Sequence, residues 1–305
     1  MNNFKGGTAF ITGAASGFGL EAARIAARLG MNVVMADVQR DALDIAAAEI
    51  AALGASVLAR RVDVSKAAEV DELAAATRER FGAPTLVFNN AGVGAGGLVW
   101  EQSLKDWEWI LGVNLMGVVH GVRAFTPMML DAARADAAWR GHIVNTASMA
   151  GLVNTPNMGV YNVSKHAVVS LSETLYQDLR LVTDQIGASV LCPFFVPTGI
   201  TESQRNRPDT LRNEAESTPS QLIGRAMIAK AVTSGKVSAA QVAQMVFDAV
   251  AEDRFYVYSH PRALAGVQTR LDDIVQLRNP SDPFAARPEI GAELRRALRE
   301  AAAPR

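Results

Sequence analysis

TAFITGAASGFGLEAARIAARLGMNVVMAD, residues 8–37, decides the fold. Thr8–Thr12 is a short β-rich run that stops at glycine; Gly13-Ala14-Ala15-Ser16-Gly17-Phe18-Gly19 follows, and an Ala-rich helical stretch continues to Leu29. Strand, glycine turn and helix in that order let the backbone come close to a pyrophosphate, whose charge is stabilised by free N–H groups at the helix N-terminus. The spacing is GxxxGxG rather than GxGxxG, and alone such a pattern is about as often an ordinary turn. Asn32–Asp37 (NVVMAD) reads as a second buried strand that ends in a carboxylate eighteen residues after Gly19, close to the roughly 20 expected of a ribose-binding acid. Asp37 is placed to accept from both adenosine-ribose hydroxyls and to repel a 2′-phosphate, which favours NAD over NADP. Capping of the helix that begins near Arg40 is the competing role. Arg40 complicates the choice, since a swing toward the ribose would admit a phosphate, while Ser16 adds no second positive charge.

Outward from this stretch the alternation continues. Residues 56–62 read as a third strand ending at Asp63-Val64, residues 66–81 as an amphipathic helix, and residues 85–88 as a fourth strand running into Asn89-Asn90-Ala91-Gly92. Strands alternating with helices imply βαβ units and right-handed crossovers, hence an α/β, doubly wound, Rossmann-like parallel sheet with helices on both faces. Residues 103–130 read as one long helix. The run HIVNTAS reads as a strand that delivers the Ser148 hydroxyl to the sheet edge. Thirteen residues later, YNVSK puts Tyr161 and Lys165 on one helix face. Such a pair is ordinarily solvated or half-packed. Its chemical reading is that a lysine charge about 4 Å away, worth roughly 4 kcal/mol at an effective dielectric near 20, makes the phenol more acidic.

The motifs together resemble the short-chain dehydrogenase/reductase family: TGAASGFG at 12–19, Asp37, Asp63-Val64, NNAG at 89–92, Asn114 in VNLMG, Ser148 and YNVSK at 161–165 match its pattern in order and spacing over about residues 6 to 200. The resemblance implies a sheet of about seven parallel strands, a nicotinamide cofactor across the carboxyl edges, and a homodimer or homotetramer. It also implies roles: Tyr161 as general acid/base, Lys165 lowering the phenol and holding the nicotinamide ribose, Ser148 bonding the substrate oxygen, and Asn114 holding a relay water. The implied cofactor contacts are Gly13, Ser16, Gly17, Phe18, Gly19, Asp37, Asp63, Val64, Asn90, Ala91, Gly92, Tyr161, Lys165, Pro193, Val196 and Thr198. In the segment after the sixth strand, read at 187–192, Pro193, Val196 and Thr198 keep the family pattern Pro-Gly-x-Val-x-Thr, but Phe194 replaces its glycine. A residue free at positive φ has become a bulky aromatic.

Residues 199–237 are polar and then carry Leu222, Ile223, Met227 and Ile228 at helical spacing, as a substrate lid at the carboxyl edge would. Helices are expected at 238–251 and 262–277, a seventh strand at 255–258, and a surface or subunit-contact extension at 279–305. The 305 residues, 49% hydrophobic, suffice for one such domain. Candidate pocket residues are 94–97, Met149, Val153, Asn154, Met158, Phe194 and Phe195. None is an Arg or Lys that could clamp a carboxylate or phosphate, so the expected substrate is an apolar secondary alcohol or ketone, aryl ones included, rather than a sugar phosphate or CoA ester. The FYVYSHP stretch at 255–261 is similar to bacterial dehydrogenases of aryl benzylic alcohols. A formal net charge of −1 without like-charge blocks argues against nucleic acid and membrane surfaces. A single cysteine, Cys192, and four unpaired-spacing histidines argue against disulfides and metal. With no apolar leader or membrane span in the pattern, the expected location is cytoplasmic. A cofactor-sensing regulator and a dehalogenating lyase on the same fold are the other classes weighed; the intact Asn-Ser-Tyr-Lys set and the phosphate-binding glycines argue against them.

Overall fold

A computed structural model describes residues 4–302 of the chain. In chain order the elements are β1 Thr8–Thr12, α1 Gly17–Arg28, β2 Asn32–Asp37, α2 Arg40–Ala52, β3 Val57–Arg61, α3 Ala67–Phe81, β4 Leu86–Asn89, α4 Leu104–Leu111, α5 Gly117–Ala135, β5 Gly141–Thr146, α6 Gly159–Val182, β6 Ile186–Cys192, α7 Pro219–Thr233, α8 Ala239–Ala251, β7 Tyr256–Tyr258, α9 Leu264–Val275 and α10 Pro288–Ala302. The seven strands pair in the order β3-β2-β1-β4-β5-β6-β7, every pair parallel. From β1 the chain winds one way to β3, then returns to β4 and winds the other way. The order therefore reverses between β1 and β4, where the two following loops diverge and leave a crevice at the carboxyl edge.

Both faces of the sheet are covered, which is why the strands read as continuous apolar runs rather than alternating ones. On one face α1, α2 and α8 pack through Ala22, Ala26, Leu43, Ile50, Val246 and Val250. On the other, α3, α5 and α6 bring Leu73, Phe125, Met129 and Leu179 onto Phe10, Val87 and Ile143. The alanine stripe of α1 has a purpose here, since small side chains let α1 and α8 approach closely over β1.

Two expectations change. The single helix over 103–130 is broken into α4, a π-helical turn at Gly112–Met116 and α5. A π turn inserts one extra residue into the helical ladder; here it carries Asn114, whose side chain is held from outside the helix by the backbone of Val93. The second change is in 199–237, where two 3-10 turns, Gly199–Asn206 and Asp209–Leu211, lead into the well-capped α7. The C-terminal α10 packs on α7, with Leu294 buried. Among the described residues no helix is long and apolar enough to cross a membrane, and no cluster of three or more His, Cys, Asp or Glu is placed to hold a metal.

His142 in β5 is 1% exposed, with Nε2 2.7 Å from Ser189 Oγ and Nδ1 3.8 Å from Asp253 Oδ1. Burial pushes its pKa down to about 4, against a partial opposing pull from Asp253. The folded chain thus keeps the ring neutral while the unfolded chain takes up a proton below about 6.5. Stability is full above pH 6.5 and falls as pH drops toward 4, by on the order of 3 kcal/mol. Urea unfolding at stepped pH checks this: His142→Gln should flatten that part of the slope, and an unchanged slope would mean that other groups carry it.

Candidate active site

The glycine turn and the NNAG segment meet at the switch point. Thr12 at the end of β1 accepts through Oγ1 from the backbone N–H groups of Asn90 and Ala91, at 2.9 and 3.0 Å, and Asn90 Nδ2 donates to the Thr12 carbonyl at 2.9 Å. Gly13 sits at φ +64, and a Cβ on it would stand 3.0 Å from the Cα of Ala91. A Cβ on Gly19 would fall 2.1 Å from the Gly13 carbonyl oxygen, so α1 starts directly against the turn. Ser16 at the N-cap of α1 makes no side-chain cap bond, and no acidic residue stands in the first turn. These N–H groups and the helix dipole are free to meet an anion. The cradle shape and the donor set thus fit a dinucleotide pyrophosphate.

Asp37 closes the next part of the cleft. Its Oδ2 accepts from the Ala15 N–H and its Oδ1 from the Gln39 N–H, both at 3.0 Å, which aims the carboxylate across the glycine turn. It does not cap α2 directly; Gln39 holds that position without a side-chain bond. Arg40 is exposed and does not line the cleft, whereas Arg205 does. Asp63, Val64, Asn90, Ala91, Gly92, Lys165, Pro193 and Thr198 line the same cleft with Gly13, Ser16, Gly17 and Phe18.

Ser148 follows β5 and caps a one-turn 3-10 helix, accepting from the Ala150 N–H at 3.1 Å. Gly151 at the end of that turn presses on α6; a Cβ there would lie 2.5 Å from the Lys165 carbonyl oxygen. This close approach brings Ser148 beside Tyr161, near enough for its hydroxyl to oppose the rise of the phenol pKa, while that hydroxyl donates to the Pro193 carbonyl at 3.4 Å. One turn along α6, the Lys165 ammonium, in a residue only 2% exposed, donates to the Thr146 carbonyl at 2.8 Å. A Cβ on Gly92 would meet Asn114 Oδ1 at 3.4 Å and Lys165 Nζ at 3.6 Å, so the absent side chain leaves those two facing each other. The four expected residues are therefore brought together.

Their electrostatics differ in sign from the expectation. Burial pushes the Tyr161 phenol above its usual value, and only the Ser148 hydrogen bond opposes this. The Lys165 ammonium donates to the Thr146 carbonyl and stands 5.9 Å from the ring centroid. Burial lowers Lys165 itself to about 8. Asn114 is also more committed than a relay residue needs to be: Oδ1 accepts from the Val93 N–H at 2.8 Å, and Nδ2 donates to the Val93 carbonyl at 3.0 Å and to Ser164 Oγ at 3.1 Å.

A second cavity of about 140 Å³ opens beside the cleft, and Tyr161 lines both. Met149, Val153, Met158, Phe194 and Phe195 form its wall as expected, together with Trp109, Ile110 and Ser148. Three expected residues stand elsewhere than in the lining of the cavity or cleft they were assigned to. Asn154 is exposed and lines neither cavity. Val196 is buried and belongs to the second cavity rather than to the nucleotide cleft, and Gly19 lies beneath the cleft without lining it. The bulky Phe194 is accommodated with its N–H donated to Ser259 Oγ at 2.9 Å and its ring against Phe195 and His260.

Residues 200–232 supply the rest of this wall, including Ile200, Ser203, Gln221, Arg225 and Ile228. Only Ile228 among them had a sequence signal, its place in the spaced apolar set of α7. Arg225 overturns the reading of a wall without a cation. The segment is pinned by a buried ion pair: Arg207 Nη1 donates to Asp106 Oδ1 at 2.7 Å, the two side chains being 5% and 8% exposed. Burial alone would raise the Asp106 carboxyl, but the Ser103 N–H and Arg207 outweigh it and hold the group below the ordinary range.

A family model described as short chain dehydrogenase matches residues 7–209. The chain belongs to that family. A CLA biosynthesis dehydrogenase/reductase from Lactiplantibacillus plantarum is 36% identical over 278 residues, 90% of this chain and 95% of that one. A C alpha-dehydrogenase from Sphingobium sp. is 30% identical over 295 residues, 96% of this chain and 93% of that one. The crystal structure of a short-chain dehydrogenase/reductase from Burkholderia phymatum, in complex with NAD, is 53% identical and superposes with a TM-score of 0.90 over 93% of this chain and 100% of that one. The protein is thus an oxidoreductase of this family, with the Rossmann-like sheet those relatives share.

Removing the Asn114 side chain leaves the buried Val93 N–H and C=O and the Ser164 hydroxyl each short of a partner. Asn114→Ala should lower unfolding free energy by about 2–3 kcal/mol, measured by urea denaturation. A loss of turnover at unchanged stability would instead assign Asn114 a chemical role only.

Proposed function

We infer that the chain interconverts a secondary alcohol and a ketone with NAD, Tyr161 moving the proton. The observation that carries this is the position of Tyr161 on the wall shared by the nucleotide cleft and the second cavity, with Ser148 lining that cavity beside it. A reactant oxygen in the cavity takes the place between these two hydroxyls. Bound nicotinamide supplies the hydride acceptor or donor. Ser148 donates to the oxygen as negative charge develops on it. Tyr161 gives that oxygen a proton during ketone reduction and removes one during alcohol oxidation. Lys165 carries positive charge beside the phenol below about pH 8, and reaches the nicotinamide ribose from the cleft it lines. Asn114, its side chain bonded to Val93 and Ser164, holds the π turn beside Gly92 and Lys165, and a relay water would be held from its main chain.

Asp37 supports NAD over NADP, because a 2′-phosphate would stand against its carboxylate, which is aimed across the glycine turn. NAD in the crystal structure of the Burkholderia phymatum relative supports the same cofactor. The apolar cavity wall supports an alkyl or aryl alcohol rather than a sugar. Residues 199–237 act as its lid within one domain, and the protein works as a homo-oligomer in the cytoplasm.

Tyr161→Phe should cut kcat by roughly 10²–10⁴-fold, with NADH affinity nearly intact by fluorescence titration; retained turnover would remove the acid/base assignment. Because burial pushes the phenol up, alcohol oxidation should rise with pH through neutrality and into the alkaline range, while ketone reduction holds until the phenol ionises. Profiles of kcat/KM from acid to alkaline pH check this, and a flat oxidation profile would contradict it. Asp37→Ala should relax the preference for NAD, read as the ratio of kcat/KM values for NAD and NADP; a wild type already faster with NADP would refute the carboxylate reading.

A further inference from the structure

The wall of the second cavity mixes apolar side chains with neutral polar ones such as Gln102, Ser203 and Gln221, and two places in it stand apart in character. One is buried and neutral: the Ser148–Tyr161 hydroxyl pair, with Tyr161 8% exposed. The other is solvent-facing and charged: Arg225, on the second turn of α7. Asp106 and Arg225 are the only ionic side chains in the wall among the described residues. Asp106 is already committed, to Arg207 at 2.7 Å, to Asn213 at 3.1 Å and to the Ser103 N–H at 2.9 Å. Arg225 has no carboxylate within ion-pair distance among the described residues, and its guanidinium is held by one hydrogen bond, from Nη2 to Ser217 Oγ at 3.0 Å. The cavity therefore offers one uncompensated positive charge at its rim.

The rim is also positioned. Gly224, the residue before Arg225, packs backbone to backbone on the 94–97 loop, where a Cβ on Gly96 would lie 3.1 Å from the Gly224 Cα. Ile228, three residues on, turns its Cδ1 toward the same loop and lines the cavity. The first turn of α7 is fixed by its Thr218–Gln221 capping box, and Gln221, four residues before Arg225, lines the cavity on the same helix face. An amide thus stands one turn from the guanidinium.

We propose that the substrate carries a carboxylate remote from the reacting carbon, and that Arg225 on α7 binds it at the cavity rim. The reacting oxygen lies at the hydroxyl pair, the apolar wall covers the connecting carbon skeleton, and the single negative charge meets the single unpaired cation. One guanidinium with neutral amide neighbours suits a monoanion; a phosphate would call for a second cation that the wall does not hold. A fork of N–H donors on a carboxylate is a charge-assisted contact, stronger than a neutral one and directional. This rests on the alcohol–ketone reading of the same site and narrows it to hydroxy and keto acids with an apolar body.

The test uses keto acids with increasing numbers of methylene groups between ketone and carboxylate, each beside its methyl ester. Dissociation constants in the presence of NADH, and separately kcat/KM for NADH-dependent reduction, are measured for wild type, Arg225→Gln and Arg225→Lys. At the chain length that spans the cavity, wild type should favour acid over ester by about tenfold, with added salt lowering the ratio. Arg225→Gln should bring the ratio to about one, and Arg225→Lys should keep part of it, chiefly through KM. The position is exposed, so neither variant disturbs the core. Equal binding of acid and ester at every length, or a preference that survives Arg225→Gln, overturns the proposal. If acids bind through Arg225 but are not reduced, the alcohol–ketone reading fails and the anion site stands; if acids and esters are reduced alike, that reading stands and the anion site falls.

Discussion

Lys165 donates to the carbonyl of Thr146, the last residue of β5, from a position only 2% exposed, and the active-site geometry hangs on that bond. An ammonium taken out of water needs a partner, and here the partner is a backbone oxygen rather than a carboxylate. The bond ties the second turn of α6 to the edge of the sheet. Tyr161, one turn earlier, is thereby held over the loop that carries Ser148, and the missing side chain of Gly151 removes the obstacle between them. Sequence spacing thus becomes a fixed triangle of two hydroxyls and a cation through one hydrogen bond and one glycine contact.

That arrangement also explains why the phenol is not acidic in the chain by itself. Burial of the ring raises the phenol, and the neighbouring serine hydroxyl only partly opposes it. A neutral phenol beside a serine hydroxyl is a ready proton donor, and the proton-accepting form has to be drawn out by whatever else enters the site.

The sheet, the glycine turn and the Tyr-Lys face were legible because each rests on local chemistry: a period of two or four, a turn that only glycine makes, a strand that ends at a polar residue. Gly13, Asp37, Ser148 and Tyr161 stand where the motifs put them. What sequence could not show depends on contacts far apart along the chain. Asn114 leaves a regular helix because Val93, twenty-one residues before it, offers both a donor and an acceptor. Arg225 enters the cavity only because Arg207 and Asp106, 101 residues apart, pin the polar segment to α4. Asn154 shows the opposite error: nearness in sequence to Ser148 suggested a place in the pocket, yet the turn after Gly151 carries it to the surface.

The backbone contact between Gly96 and Gly224 has a mechanical side. No side chain stands between the two segments, so on that flank the aperture is gauged by main chain and has no softer material to yield. α7 is thus braced at two places, by main chain here and by α10 packed along it. A methyl group at either glycine would act as a wedge, and the opening would be set by that single added carbon.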